Sequence, residues 1–348
     1  MALFKVEHIS IRGISATVPK NKECNADYPF ESENEKNIYI KTTGIKERRI
    51  APLHLSASDL CLNAAQKLLS ELNWSAQDID VLVIASQSPD YVLPATAPII
   101  QNKLGMKTSA MCFDISIGCS GFVYGLAVLS QLLGNAVNKK GLLLCGDKSS
   151  IMLNKKDKAT YPLFGDAGTA TALEFNPEAD PLFFEVNADG SGFEAIIIND
   201  GGARNPGKFP VITDELRIHD ENLSLKLDGL KVFSFSTGKV PESIINTLRF
   251  AHKDITSPHY FILHQANKLI IDTIRRKLKL DENKFLNSIE DFGNTSSASI
   301  PLSMVVNRNL LINKKIEVLF CGFGVGLSWG TCIASIENLI ICELSELG

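Results

Sequence analysis

Apolar residues along this chain follow two spacings, short continuous runs that suit buried strands and recurrences every three or four residues that suit helices. Runs at 81–86, 109–116, 141–146 and 170–175 predict strands in the first half. Positions 58–73 carry an apolar face and predict an amphipathic helix. A proline-rich loop at 88–98 leads into a helix around 99–104. Phe122, Val123, Leu126, Leu129, Leu132 and Leu133 recur at helical spacing and predict another helix. In the second half the pattern predicts strands at 195–198, 223–227, 260–264, 316–321 and 329–337. Helices are predicted at 241–252, at 266–280 and within 294–311. Strands and helices alternate throughout, which indicates a layered α/β architecture. The turn cluster Asn176-Pro-Glu-Ala-Asp-Pro181 divides the chain into halves, 1–176 and 177–348.

Within this frame Asp114-Ile-Ser-Ile-Gly-Cys-Ser-Gly-Phe122 places Cys119 at a strand-to-helix turn. Free N–H groups and the positive end of the helix dipole there are expected to favour a thiolate. Glycines at 118 and 121 leave room for close approach to the sulfur. His264 ends the strand 260–264 and opens the turn His264-Gln-Ala-Asn267, where α/β folds present reactive side chains. Asn294 lies in Asp291-Phe-Gly-Asn-Thr-Ser-Ser-Ala-Ser-Ile-Pro301, a stretch rich in small polar residues. Each has a plain structural reading, a hydrogen-bonding histidine and a Gly-Asn turn. The glycine-rich Gly322-Phe-Gly-Val-Gly326 follows a strand but lacks dinucleotide spacing, and no phosphate-binding loop occurs.

With 348 residues, 45% of them hydrophobic, the chain can bury a large core. A net charge of −4 argues against general nucleic-acid or membrane-surface binding. No apolar run is long enough to span a bilayer, and a charge at Lys5 interrupts any leader-like stretch. A cytoplasmic location is therefore expected. Eight cysteines show no zinc spacing, so no metal site is expected. Cys112, Cys145, Cys321 and Cys332 fall in apolar runs and are expected to be buried thiols.

In order along the chain, Gly-Cys-Ser-Gly, His-Gln-Ala-Asn, Gly-Asn-Thr-Ser-Ser-Ala-Ser-Ile-Pro and Gly-Phe-Gly-Val-Gly-Leu-Ser-Trp-Gly together resemble the β-ketoacyl-[acyl carrier protein] synthase III family. Thr43-Gly-Ile-Lys-Glu-Arg-Arg-Ile50, Phe164-Gly-Asp-Ala-Gly168 and Gly201-Gly-Ala-Arg-Asn-Pro206 extend the resemblance from about residue 8 to the C-terminus. It implies a thiolase-like fold, with two pseudo-repeated halves in five layers, α-β-α-β-α. It implies a catalytic triad of Cys119, His264 and Asn294, with oxyanion-binding N–H groups from Cys119 and Val325. Phe323, Leu93 and Asn267 are then substrate-binding, Leu93 reaching over from the second subunit of a homodimer.

The implied reaction is a decarboxylative condensation. Cys119 takes an acyl group from a starter thioester, malonyl-carrier loses carbon dioxide, and its carbanion attacks the acyl-enzyme. The substrates are coenzyme A or acyl-carrier-protein thioesters, and no cofactor is implied. Lys268, Arg275, Arg276 and Lys279, with Lys277, form a candidate docking patch for the acidic carrier protein, or a solvated face. Asp90 is the only acid in Ser88-Pro-Asp-Tyr-Val-Leu-Pro94, which favours decarboxylation over deprotonation. Ile38, Thr42 and Lys158 stand where a tryptophan and two arginines are expected to clamp coenzyme A. A carrier-bound or specialised starter fits this better than acetyl-coenzyme A. The alternatives are an acyltransferase that moves the Cys119-bound acyl group to a hydroxyl or amine, a non-catalytic partner subunit, and a cysteine hydrolase.

Overall fold

A computed structural model describes residues 2–134, 137–206 and 222–348. Two sheets make its frame. The first runs Ile340–Ile341, Ile9–Pro19, Ala167–Phe175, Lys140–Asp147, Val81–Ala85, Met111–Ile115, and Ser345–Leu347 also pairs with Ile9–Pro19. The second runs Ala2–Val6, Leu182–Ala188, Ser328–Ile336, Ile316–Gly324, Tyr260–Leu263.

The halves repeat one wiring. Val81–Ala85 lies parallel to Lys140–Asp147, which is antiparallel to Ala167–Phe175, which is antiparallel to Ile9–Pro19. Tyr260–Leu263, Ile316–Gly324, Ser328–Ile336 and Leu182–Ala188 follow the same sequence of directions. The chain passes from the first sheet to the second between Phe175 and Leu182. Both termini cross this division, since Ala2–Val6 joins the second sheet and the last two strands join the first.

Helices Gly121–Leu133 and Ser299–Val306 pack between the sheets. Gly121–Leu133 is apolar almost all round, as a doubly covered helix must be, and Phe122, Val123 and Leu126 are fully buried. Phe122 meets Phe320 of the second sheet edge-on at 5.3 Å. Ala57–Leu72 and Thr96–Leu104 cover the first sheet, while Gly229–Phe250 and Lys268–Lys277 cover the second. The result is the expected five-layered thiolase-like arrangement.

Several elements differ from the pattern reading. Gly229–Phe250 starts twelve residues before Pro241, which sits inside the helix. Proline has no N–H for the carbonyl four residues back, and Lys277 Nζ donates to that Thr237 oxygen instead, at 2.8 Å. Ile9–Pro19 lies where no strand is predicted because serine, arginine and threonine interrupt it. Ser15 and Thr17 are nonetheless buried, and Thr17 donates to Asn63 Oδ1 at 2.9 Å. The strand expected at 223–227 shortens to Lys226–Leu227. Cys112 is half-buried rather than core, because its strand Met111–Ile115 is a sheet edge.

Candidate active site

The loop ends of the two halves meet over one cavity of about 310 Å³. Cys119, His264 and Asn294 all line it, with Asn267, Phe323 and Val325. Leu93 does not. It stands 84% exposed beside Tyr91 and Val92 on a surface loop.

Cys119 sits just before helix Gly121–Leu133. Two glycines let the second sheet close on it. A Cβ on Gly324 would lie 2.7 Å from the Cys119 Cβ and 3.0 Å from its sulfur, and one on Gly322 would lie 2.8 Å from Ser120 Cα. The expected resting thiolate is corrected here. Burial pushes the thiol up to about 12, and the Asp147 carboxylate adds to the shift. The Ser296 hydroxyl and the N–H groups of Val325 and Cys119 oppose it without reversing it. At the start of the helix the Gly121 N–H is spent on the Gly118 carbonyl at 2.6 Å and does not reach the sulfur.

His264 is 1% exposed, with Nδ1 2.8 Å from Ser299 Oγ. Burial drives its value down to about 3, against an opposing hydrogen bond with the Ser296 backbone, so the imidazole is neutral. Phe323 stands edge-on to it, with ring centroids 5.5 Å apart.

Asn294 is held by the other half of the chain. Its N–H donates to the Leu163 carbonyl at 2.9 Å, and its carbonyl accepts from Gly165 N at 3.0 Å. Gly293 before it has φ 63°, and a Cβ there would collide with Leu163 O and Arg48. Within its own loop, Oδ1 accepts from Ser296 N at 2.9 Å. That bond orients the amide and leaves Nδ2 as the free donor.

Sequence reasoning missed Asp147, Gln87 and Ser296, which line the same cavity. Asp147 is 1% exposed and accepts from Gln87 N at 2.7 Å, Ser86 Oγ at 3.2 Å and Ser297 Oγ at 2.8 Å. It also bonds the Ser296 hydroxyl, which reaches Cys119, so it ties the nucleophile turn to the Asn294 loop. Its signal was available, since it ends an apolar strand as His264 follows one. Ser296 adopts φ 51°, a left-handed conformation that costs a serine about 1 kcal/mol.

Asn267 caps helix Lys268–Lys277, accepting from Ile270 N at 2.8 Å. On that helix Lys268 and Arg275 both reach toward Asp272, at 3.7 and 3.5 Å, and Lys277 is committed to Thr237. Arg276 and Lys279 are exposed. Lys158 pairs with Glu31 at 2.9 Å and Glu35 at 2.7 Å, while Ile38 and Thr42 lie exposed on helix Glu33–Thr43. Asp90 accepts from Ser58 Oγ at 2.8 Å and does not line the cavity, so Asp147 is its one carboxylate among the described residues. Those residues hold no cluster of three metal-ligating side chains, and no helix among them is long and apolar enough to cross a membrane.

Comparisons with known proteins give the family. Residues 113–190 match the family described as 3-oxoacyl-[acyl-carrier-protein] synthase III, and 248–336 match its C-terminal part. A β-ketoacyl-[acyl-carrier-protein] synthase III of Clostridium botulinum is 32% identical over 327 residues, covering 93% of this chain and 98% of that protein. A putative 3-oxoacyl-[acyl-carrier-protein] synthase 3 of Campylobacter jejuni is 31% identical, covering 96% of each. The crystal structure of a 3-oxoacyl-(acyl-carrier protein) synthase from Burkholderia xenovorans superposes with a TM-score of 0.93, at 33% identity and 99% coverage of both chains. The chain belongs to the β-ketoacyl-[acyl-carrier-protein] synthase III family.

Proposed function

We propose that this protein condenses an acyl starter held on Cys119 with malonyl-[acyl carrier protein], releasing carbon dioxide and a β-ketoacyl thioester. The observation that carries this is the convergence of Cys119, a neutral His264 and an oriented Asn294 amide on one cavity. Acyl transfer comes first. The sulfur attacks the starter thioester, its proton goes to the departing thiol, and the N–H groups of Cys119 and Val325 hold the oxyanion. Both N–H groups already point at the sulfur region.

Decarboxylation then puts charge on the malonyl thioester oxygen. A neutral imidazole N–H and the Asn294 Nδ2 are donors that need no charge of their own, each worth ~3 kcal/mol in a preorganised site. Phe323, edge-on to His264, supplies an apolar wall beside the leaving carboxylate. The thioesters carry their own activation, so we propose that no cofactor takes part.

A homodimer is part of this reading. Met111–Ile115 is an open edge of the first sheet, and the exposed apolar loop Tyr91-Val92-Leu93 needs cover. We further propose that Arg276 and Lys279, with Lys268 and Arg275 part-neutralised, meet the acidic carrier protein. Eight free thiols suit a reducing, cytoplasmic setting.

The test is intact-protein mass spectrometry with a panel of acyl-coenzyme A and acyl-carrier thioesters, with Cys119→Ala as control. A single adduct that requires Cys119 and clears with malonyl-carrier, releasing carbon dioxide, is expected. An adduct that persists with malonyl-carrier and clears with an alcohol or amine would replace condensation by simple acyl transfer. No adduct from any thioester would sink both.

A further inference from the structure

The cavity has two chemistries. Ile196, Ile197, Leu225, Leu227 and Val232 give it an apolar lining. Gln87, Ser116, Asp147 and Ser149 line it as well, beside apolar Met152, Leu163 and Phe164, and the Gln87 amide lies against the Cys119 turn at Gly118. Among the described residues the side chains of Gln87, Ser116 and Ser149 make no hydrogen bond. Asp147 is the reverse case. Its oxygens are already taken by Gln87 N, Ser86, Ser296 and Ser297.

The Gln87 carboxamide is placed by the nucleophile turn itself. A Cβ on Gly118 would collide with Gln87 Oε1, so the absence of a side chain at 118 lets the amide lie beside Cys119. With the acyl carbonyl oxygen between the N–H groups of Cys119 and Val325, an acyl chain that leaves along the Gly118 turn runs past the Gln87 amide. A hydrocarbon chain there would cover an amide and hydroxyls with nothing to bond them, which a polar site rejects strongly.

Resting on the condensing reading, we propose that the starter carried by Cys119 is a short acyl group bearing a neutral hydroxyl, recognised by Gln87, Ser149 and Ser116. A hydroxyl both donates and accepts, as a carboxamide and a serine do. An ionised starter fits worse. The buried Asp147 carboxylate repels an anion, and its engaged oxygens leave no acceptor for a cation. The transfer is balanced. The donor's C–S bond breaks, the bond to Cys119 Sγ forms, and the cysteine's proton ends on the donor sulfur.

The test compares butyryl- and 3-hydroxybutyryl-pantetheine, which share a leaving group and differ by one oxygen. The readout is the second-order rate of Cys119 adduct formation by mass spectrometry. The hydroxylated starter is expected to react at least tenfold faster. Gln87→Leu should invert the ratio, and Ser149→Ala, a smaller change that spares the fold, should shrink it severalfold. Butyryl reacting as fast in the unaltered protein, or a ratio that neither substitution moves, would overturn the proposal and leave condensation standing. Failure of both thioesters, carried on pantetheine, coenzyme A or the carrier protein, and of the acetyl thioesters to modify Cys119 would instead overturn the condensing reading, and this proposal with it.

Discussion

Two buried sulfurs, Cys119 and Cys321, share almost every local property and differ in what surrounds them. Burial pushes both thiols up to about 12, and each bonds a hydroxyl, Ser296 for Cys119 and Thr331 for Cys321. Cys321 is 0% exposed in strand Ile316–Gly324, with Thr331 Oγ1 3.4 Å from its sulfur. Cys119 opens on a cavity that also presents His264 and Asn294, and two backbone N–H groups point at its sulfur. Proton affinity does not distinguish the two. Access and a ring of preorganised donors do, because they act on the charge that develops during transfer rather than on the resting thiol.

The largest break in that comparison comes from deleting each sulfur. Cys119→Ala should lower acyl-enzyme formation at least ~10⁴-fold with little change in unfolding midpoint. Cys321→Ala should keep activity within about threefold while losing ~1–2 kcal/mol of stability, since it leaves a small core cavity. Urea titration and adduct mass spectrometry on both variants check this. A severe activity loss in Cys321→Ala would give that sulfur a role in the chemistry.

The pH dependence sharpens it next. With its thiol near 12, Cys119 should be alkylated by iodoacetamide about tenfold faster per pH unit from pH 6 to 9, with no plateau. Cys321 should stay unmodified until the protein unfolds. A plateau near neutral pH would restore a resting thiolate and the helix-dipole argument behind it.

The donors separate the two half-reactions. His264→Ala and Asn294→Ala should each cut malonyl decarboxylation about 10²- to 10³-fold and change Cys119 acylation far less. Because His264 titrates near 3, it should give activity no acidic limb at pH 5 to 8. Its folded value lies below the ordinary 6.5, so the stability it contributes is complete above pH 6.5 and is lost as pH falls toward 3. Urea midpoints across that window should fall less steeply in His264→Asn than in the unaltered protein.

How much of this was legible depended on sequence distance. Cys119, His264 and Asn294 each sit where a buried strand or tight turn gives way to a loop, so local pattern and motif found them. Their assembly was legible only through the family resemblance and not from local pattern. It depends on Asn294 bonding Leu163 and Gly165 across 130 residues of chain, and on Gly322 and Gly324 packing against Cys119. Helix Gly229–Phe250 was half hidden because Pro241 reads as a start, and the compensating Lys277 lies on another helix. Strand Ile9–Pro19 was hidden because its polar residues read as exposed, although Ser15 and Thr17 are buried and Thr17 finds its partner Asn63 only in the fold. Asp147 was overlooked as one charge at the end of an apolar run, although the rule applied to His264 applied to it.

That residue gives the smallest effect and the finest test of the comparison. Asp147 raises the Cys119 thiol through its charge, whereas the charge acting on Cys321 is Glu185. Asp147→Asn keeps the shape and removes the charge, so Cys119 alkylation at pH 8 should quicken about threefold or more. The same change should cost ~1–3 kcal/mol of stability. Gln87 N donates to one oxygen and Ser297 N to the other, and an amide, with a single carbonyl oxygen, accepts from one of them and turns its N–H₂ against the other N–H. A variant that is less stable and yet more reactive at Cys119 would show that this carboxylate is kept to hold the Asn294 loop against the nucleophile turn, at the expense of the thiol's acidity. Slower alkylation in a folded Asp147→Asn protein would mean instead that loop placement outweighs charge in setting how the sulfur reacts.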